Sequence, residues 1–328
     1  MTVNSNFDNL LTTTIEKRNK KLADNVTKNS ALLSRLNAKG KIRTIDGGTK
    51  IVEELEYGEG TFIWYGGYDA LNYVDKQLFS AAEYNMKMCA VPVAISGEEL
   101  LKNSGTEQMI DLFTKRIENA EKTMKNKLAA AVYSDGTGSS GKEIGGLKLL
   151  VADDPTSGTV GGINRATSGN EFWRNQVKAA DTALTKDTIR KAMDDLYLKC
   201  CRNTDKPDLI VADDTMFSLF EESLVDYQRF TDPKVAEAGF TSYKYKGADV
   251  IFDGGQGGAC PEGHMYFLNT DYIYLRPHKD RNMKVINGDR MAINQDAIYR
   301  IIGWAGNLTM SNAALQGVLV NAGTGSSS

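Results

Sequence analysis

The longest regular pattern in the chain is helical. Ile110, Phe113, Ile117, Ala120, Met124, Leu128 and Ala131 recur at intervals of three and four, which puts them on one stripe of an α-helix. Asp111, Lys115, Arg116, Glu118, Glu121, Lys122 and Lys125 fill the other faces. Ser104 and Glu107 form a capping-box pair, each side chain satisfying a backbone N–H of the other's residue. The spacing predicts one long helix over 106–133. Ser96 and Glu99 repeat the capping pattern and predict a short helix just before it.

Upstream, "KIVEELEYGEGTFIWYGGYDAL" and "FSAAEYNMKMCAVPVAI" are rich in β-branched and aromatic residues, with Gly66-Gly67 as a turn signal. This predicts a long two-stranded antiparallel ribbon. Phe62, Trp64, Tyr65, Tyr68, Tyr73 and Phe79 are more aromatic surface than a lone ribbon can hide, and such a ribbon is marginal in water. Another surface must cover it, in the same chain or a neighbouring one. Ahead of the ribbon, Phe7, Leu10, Leu11, Ile15, Leu22, Val26, Leu32, Leu33 and Leu36 form a broken helical stripe. One or two short amphipathic helices there make an arm that must pack on something else.

Beyond the long helix the pattern is α/β. "IGGLKLLVAD" reads as an extended apolar stretch, and "TKDTIRKAMDDLYLKCC" as a helix with Ile189, Ala192, Met193, Leu196 and Cys200 inward. "DLIVAD" has the continuous apolar run of a buried strand. "DDTMFSLFEESL" is an Asp-capped helix. "FTSYKYKGADVIFDG", "HMYFLNTDYIYLRP" and "DAIYRIIGWAGNLTM" read as strands, and the "GTGSSS" tail as flexible.

Composition narrows the function classes. The 328 residues are 41% hydrophobic and 25% charged, with a formal net charge of −3, so no global field draws nucleic acid. Residues 1–50 differ, with ten Lys/Arg against four Asp/Glu. That basic arm reads either as a solvated face or as a contact for nucleic acid or a partner. There is no apolar leader and no run long enough to cross a bilayer, which predicts a soluble protein made in a cytoplasm. Cys89, Cys200, Cys201 and Cys260 lack C-x-x-C spacing and read as reduced core thiols.

"DGTGSSGKE" (135–143) matches the phosphate-loop pattern up to its missing Ser/Thr, and also reads as G-x-G-x-x-G. A phosphate loop needs a strand before it and a helix N-terminus after it. Here the long helix precedes it, so Gly136 to Lys142 reads as a helix stop at the wrong end for an anion. Asp153 and Asp154 could bind a cation, but in a Pro-Thr-Ser-Gly turn they read as solvated or capping. Asp194-Asp195 and Glu221-Glu222 read as solvated helix faces. His264 and His278, the only histidines, belong to no metal or triad pattern. No cofactor and no enzymatic activity are expected.

The order of parts resembles the major capsid proteins of tailed double-stranded DNA phages, the Hong Kong 97-type fold. The phrases "AVPVAISGEELLKNSG", "YSDGTGSSGKEIGGLKLLVADDPTSGTVGGINRA", "DLIVADDTMFSLFEESL" and "GWAGNLTMSNAALQGVL" are similar to one group of them. The resemblance implies an α+β chain with an N-terminal arm (1–50), an extended loop (51–90), a peripheral domain (91–145 and 286–328) holding the spine helix, and an α/β axial domain (146–285). It implies a structural subunit that joins copies of itself, as pentamers and hexamers, into an icosahedral shell around phage DNA. Tyr57, Phe62, Trp64, Tyr65, Tyr68 and Lys76 would lie at the contact between the loop and a neighbouring subunit. Lys17, Arg18, Lys20 and Lys21 of the arm would meet scaffold or DNA. About fifty residues before the loop are too few for a built-in scaffolding segment, so a separate scaffolding protein is expected, with a portal protein as further partner. The shell would assemble in the host cytoplasm and become the virion capsid. Some relatives join a loop Lys to an Asn of a neighbour by an isopeptide bond; Lys76, Asn307 and Asn312 supply the residue types. The alternatives are an encapsulin-like compartment shell on the same fold and, in a different class, a nucleotide-binding enzyme using Gly136–Lys142.

Overall fold

The computed structural model describes residues 30–71, 76–98, 106–224, 242–254, 258–286, 290–291 and 296–322. The chain enters through helix α1 (Ala31–Ala38), then strands β1 (Lys50–Glu56), β2 (Phe79–Asn85) and β3 (Lys87–Ser96). Next comes the long helix α2 (Thr106–Ala131). Its predicted stripe is the buried one: Ile117, Ala120, Met124 and Leu128 lie in the core. Both capping pairs lie wholly or partly outside the described residues.

At the end of α2, Gly138–Gly141 forms one left-handed turn, with Ser139 and Ser140 at φ of 52° and 59°. The segment expected to be extended after it instead coils into a short helix, α3 (Leu147–Leu150). Periodicity cannot separate a short buried strand from a buried helical turn. The backbone decides it, because Gly146 crosses directly over the end of α2. A Cβ there would sit 2.3 Å from the Val132 carbonyl oxygen. Leu147, Leu150 and Val151 are fully buried. Arg165 is equally buried and donates to the Leu149, Leu150 and Trp173 carbonyls at 3.4, 2.6 and 3.0 Å. A cation thus closes the carbonyl end of α3, and burial lowers that guanidinium to about 10.

The rest comprises β4 (Thr159–Val160), β5 (Ile163–Asn164), β6 (Gln176–Ala179), α4 (Ile189–Lys199), β7 (Leu209–Ala212), α5 (Asp214–Ser223), β8 (Ser242–Tyr245), β9 (Ala248–Phe252) and β10 (His264–Leu268). Strands β11 (Ile273–Pro277), β12 (Lys284–Val285), β13 (Arg290–Met291), β14 (Ala297–Met310) and β15 (Gly317–Val320) follow. A mixed six-stranded sheet runs β6-β15-β10-β7-β9-β8. Strand β7 is buried on both faces, as its unbroken apolar run predicts. Ile210 and Ala212 meet Met193, Leu196 and Phe220 of α4 and α5, while Leu209 and Val211 join the other core. Asp213 caps α5, accepting from the Met216 N–H at 2.9 Å.

The second sheet is organised by β14, whose one edge pairs with β3 from Ala297↔Ser96 to Gly306↔Lys87. The other edge takes β11, β12 and β13. Helix α2 lies against β3. Two strands depart from the division expected along the chain. β11, expected with the α/β middle, pairs with β14. β15, expected with the closing strands, enters the six-stranded sheet between β6 and β10. The "GVLV" of β15 is too short to carry a strand signal without its neighbours. The ribbon is also shorter than expected. Among the described residues only β1 and β2 pair, from Lys50↔Asn85 to Glu56↔Phe79. After Met86 the chain leaves the ribbon for β14.

Candidate assembly surface

The ribbon has a held base and an uncovered tip. At the base, β1 alternates, with Ile51, Glu53 and Leu55 inward and Lys50, Val52, Glu54 and Glu56 outward. From β2, Ala82 and Tyr84 are buried. The Tyr84 hydroxyl donates to the Met310 carbonyl at 2.9 Å, and burial, ahead of the backbone contact, pushes its pKa up. Asn307 donates from Nδ2 to the Asn85 carbonyl at 2.9 Å. The Glu83 N–H donates to the Gly161 carbonyl at 2.8 Å.

Beyond Glu56 the described tip has no strand. It bends through a turn in which the Gly66 N–H donates to Asp69 Oδ2 at 2.7 Å. Phe62 is 74% exposed, Trp64 88% and Tyr65 68%, and Tyr68 is wholly exposed. Phe62 and Trp64 meet edge to face with centroids 5.1 Å apart. Ile63 and Leu71 add to the same exposed stretch. Aromatics of this kind, apolar in body with a polar handle, are enriched at protein interfaces. Lys76 is exposed. Tyr57 is held by its own chain instead, stacked on Phe172 at 4.4 Å, so it belongs to the base. Tyr73 lies outside the described residues.

Lys17, Arg18, Lys20 and Lys21 also lie outside the described residues. The described half of the arm is docked on its own chain. Leu32, Leu33 and Leu36 are buried, and residues 41–45 run beside β11, with Arg43 and Ile45 N–H groups donating to Leu275 and Pro277 carbonyls. Arg35 pairs with Asp208 and Asp249 at 3.3 and 3.1 Å, and Lys39 with Asp208 and Asp271 at 3.0 and 3.3 Å. Burial acts to raise the Asp271 carboxyl, but Lys39 and Lys41 together hold it below the usual range. These basic residues serve intramolecular docking.

The chemistry-bearing candidates are occupied by structure. In 135–143, Asp135 Oδ1 accepts from the Thr137 N–H, the Gly141 N–H donates to the Thr137 carbonyl and the Glu143 N–H to the Gly138 carbonyl. Those three amides are taken by acceptors within the turn. Asn307 Oδ1 accepts from the Gly145 and Leu308 N–H groups at 3.1 and 2.9 Å, so its amide is committed and unsuited to an isopeptide bond. Asn312 is half-buried. Asp154 caps its own turn through Thr156.

Asp153 reaches His264 instead. His264 Nε2 lies 3.2 Å from Asp153 Oδ2, and Nδ1 2.7 Å from the Glu262 carbonyl. Both ring nitrogens face acceptors, so only the imidazolium donates to both. Burial lowers the His264 pKa, but Asp153 and the Glu262 carbonyl outweigh it and the net shift is upward. Of the four cysteines expected in the core, only Cys200 is buried; Cys201 and Cys260 are half-buried, and Cys89 is exposed on β3. Burial pushes the Cys200 thiol up to about 12, which leaves it inert at neutral pH. Among the described residues no group of three or more His, Cys, Asp or Glu is placed to hold a metal ion, and no helix is long and apolar enough to cross a membrane.

Sequence reasoning passed over Glu53, Arg276, Thr309 and Arg165. Glu53 had a readable signal, because a charged residue stands in the inward phase of an alternating strand between Ile51 and Leu55. Arg165 had none, since its burial depends on α3 and Trp173 folding around it.

No family model and no curated protein sequence matches the chain. Solved structures do. The capsid asymmetric unit of cyanophage A-1(L) superposes with a TM-score of 0.62 at 17% identity, covering 85% of this chain and 90% of that one. The chain has the fold of this phage capsid subunit. The capsid of a native GTA particle gives a TM-score of 0.58 at 10% identity over 87% of this chain and 89% of that one. The holo-SrpI encapsulin of Synechococcus elongatus PCC 7942 gives 0.56 at 11%, covering 89% of each. The likeness thus covers 85–89% of this chain.

Proposed function

We propose that the chain is the major capsid subunit of a tailed double-stranded DNA phage, a structural protein that closes into an icosahedral shell through contacts between copies. The observation that carries this reading is the tip from Phe62 to Tyr68. It is a run of exposed aromatics on a ribbon whose base is built into the body, on a chain with a capsid fold. Such a tip is stable in water when a second copy covers it, and each subunit in a shell is held by several neighbours at once, which multiplies modest affinities.

In this reading 1–50 is the arm and 51–90 the extended loop. Residues 91–145 with β14 make the peripheral domain, and 146–285 with β15 the axial one, β11 bridging to the former. Copies associate as pentamers and hexamers. Lys76 and the tip aromatics meet the neighbour, while Lys17, Arg18, Lys20 and Lys21 face a separate scaffolding protein or packaged DNA. A portal protein occupies one vertex. Assembly takes place in the host cytoplasm and the product is the virion capsid.

Negative-stain electron microscopy and sizing chromatography of the purified protein, alone and with a co-expressed scaffold, test this. Uniform shells or five- and six-membered rings are the expected outcome. A monomer or dimer at high concentration in both preparations overturns it. A second reading, a compartment shell for protein cargo, draws on the encapsulin likeness. Particles carrying co-purified protein and no nucleic acid after nuclease treatment would favour it.

A further inference from the structure

One of the ribbon's ties to the body is a buried charged group. Glu53, 6% exposed, faces inward from β1. Arg276 of β11 grips it with both prongs, Nε to Oε1 and Nη2 to Oε2, each at 2.8 Å. Thr309 of β14, fully buried, donates its hydroxyl to Oε1 at 2.7 Å. The Arg276 guanidinium lies 4.8 Å from the Tyr274 ring centroid, which fixes its plane. Tyr274 and Thr309 are register partners, as are Arg276 and Asn307. A single ribbon carboxylate therefore bonds to two adjacent strands of the β14 sheet.

Stability does not explain this choice. A buried ion pair is worth little more than two apolar side chains of the same volume, because desolvation offsets the attraction. A two-pronged guanidinium–carboxylate contact differs from apolar packing in being directional. Its two parallel bonds and the third from Thr309, made to two different strands, resist tilting of β1 against the sheet, which apolar contacts tolerate. Ile51 and Leu55 on either side already supply burial. A small tilt at the base displaces the tip in proportion to the length of the ribbon. At the root of the tip, Tyr57 stacks on Phe172, while Phe62, Trp64, Tyr65 and Tyr68 stay exposed.

The geometry points to Glu53 and Arg276 as a positioning clamp that sets the angle at which the ribbon leaves the body, and so aims the aromatic tip at a second copy of the chain. This rests on the shell reading above. The clamp acts through the tip and touches no partner itself. Loosening it leaves the fold intact and scatters the tip.

The test is a spin–spin distance measurement between nitroxides at Tyr68→Cys and Leu198→Cys, two exposed positions, in a Cys89→Ser/Cys201→Ser/Cys260→Ser background of the full chain below its assembly concentration. Glu53→Met/Arg276→Met removes both charges and keeps the volume. Melting within a few degrees of the parent, a distance distribution at least twice as broad, and a severalfold lower yield of closed particles are expected. Arg276→Lys keeps the charge without the fork and should fall between. It also serves if the double variant fails to fold. An unchanged distribution overturns the clamp, and so do normal shells despite a broadened one. If the parent forms no particles under any condition, the shell reading and the clamp's aiming role fall together. The distance measurement still separates that outcome from one in which the ribbon was never held.

Discussion

The arm segment 30–45 and the ribbon tip 57–71 pose the same problem and receive opposite answers. Neither contains enough apolar surface to fold alone. The arm segment buries Leu32, Leu33 and Leu36, borrows the backbone of β11 and pairs its cations with Asp208, Asp249 and Asp271. The tip leaves Phe62, Trp64, Tyr65 and Tyr68 in water. In the first case the missing half of the core lies in the same chain. In the second the same chain supplies only the base. An element that cannot stand alone is therefore a marker of association only after its own chain has been searched for a cover.

The largest expected effect sharpens that contrast. Leu36→Ala empties a fully buried site and should cost about 2–5 kcal/mol of folding stability, measured as a shift in denaturant midpoint. Trp64→Ala should change folding by less than ~0.5 kcal/mol. It should weaken assembly by about 2 kcal/mol, a hot-spot loss that raises the concentration needed for particles more than tenfold. Light scattering against concentration reads it. Equal folding costs for the two substitutions would erase the distinction between arm and tip.

A smaller effect concerns the charged part of the docking. Lys39→Met removes pairs to Asp208 and Asp271 that are partly exposed, and should cost about 0.5–1 kcal/mol. Repeating the denaturation in 1 M salt should remove most of that difference. A cost that persists in salt would mean that Lys39 contributes packing instead of charge.

The smallest effect depends on pH and should reach the base but not the tip. His264 is bonded to Asp153, which leads into the β4–β5 hairpin whose Gly161 carbonyl holds Glu83 of the ribbon. Its folded pKa is raised, so protons favour the folded state. That stabilisation is complete below the unfolded value of about 6.5 and is lost as pH rises through the higher folded value. The stability difference between the parent and His264→Gln should shrink from pH 6 to pH 8, with tip fluorescence of Trp64 unchanged. A flat or rising difference would contradict the imidazolium–carboxylate pairing.

Much of the molecule was legible from local pattern. The α2 stripe from Ile117 to Leu128, the inward face of α4, the Asp213 cap and the doubly buried β7 all follow from period, length and capping chemistry, which act over a few residues. The misreadings have a common physical origin. The 144–152 stretch had the right burial and the wrong backbone, because Gly146 turns it over the end of α2. β15 gained its place only when β6 and β10 bordered it. Glu53 could be noticed as a charge in an apolar phase, but its partners are more than two hundred residues away.

By itself, the order of residues determined which faces had to be buried. It set the period of the long helices and of β7, the Asp213 start of α5, and that an aromatic ribbon and a short amphipathic arm cannot be left alone. Tertiary structure decided what covers each face. It laid the arm on β11, drew β15 into the distant sheet, bound Glu53 to Arg276 and left the tip without a cover. Burial is non-directional and roughly proportional to apolar area, so a sequence can record that a surface needs a partner without recording which one. That identity is a long-range contact, and it exists only when the chain has folded.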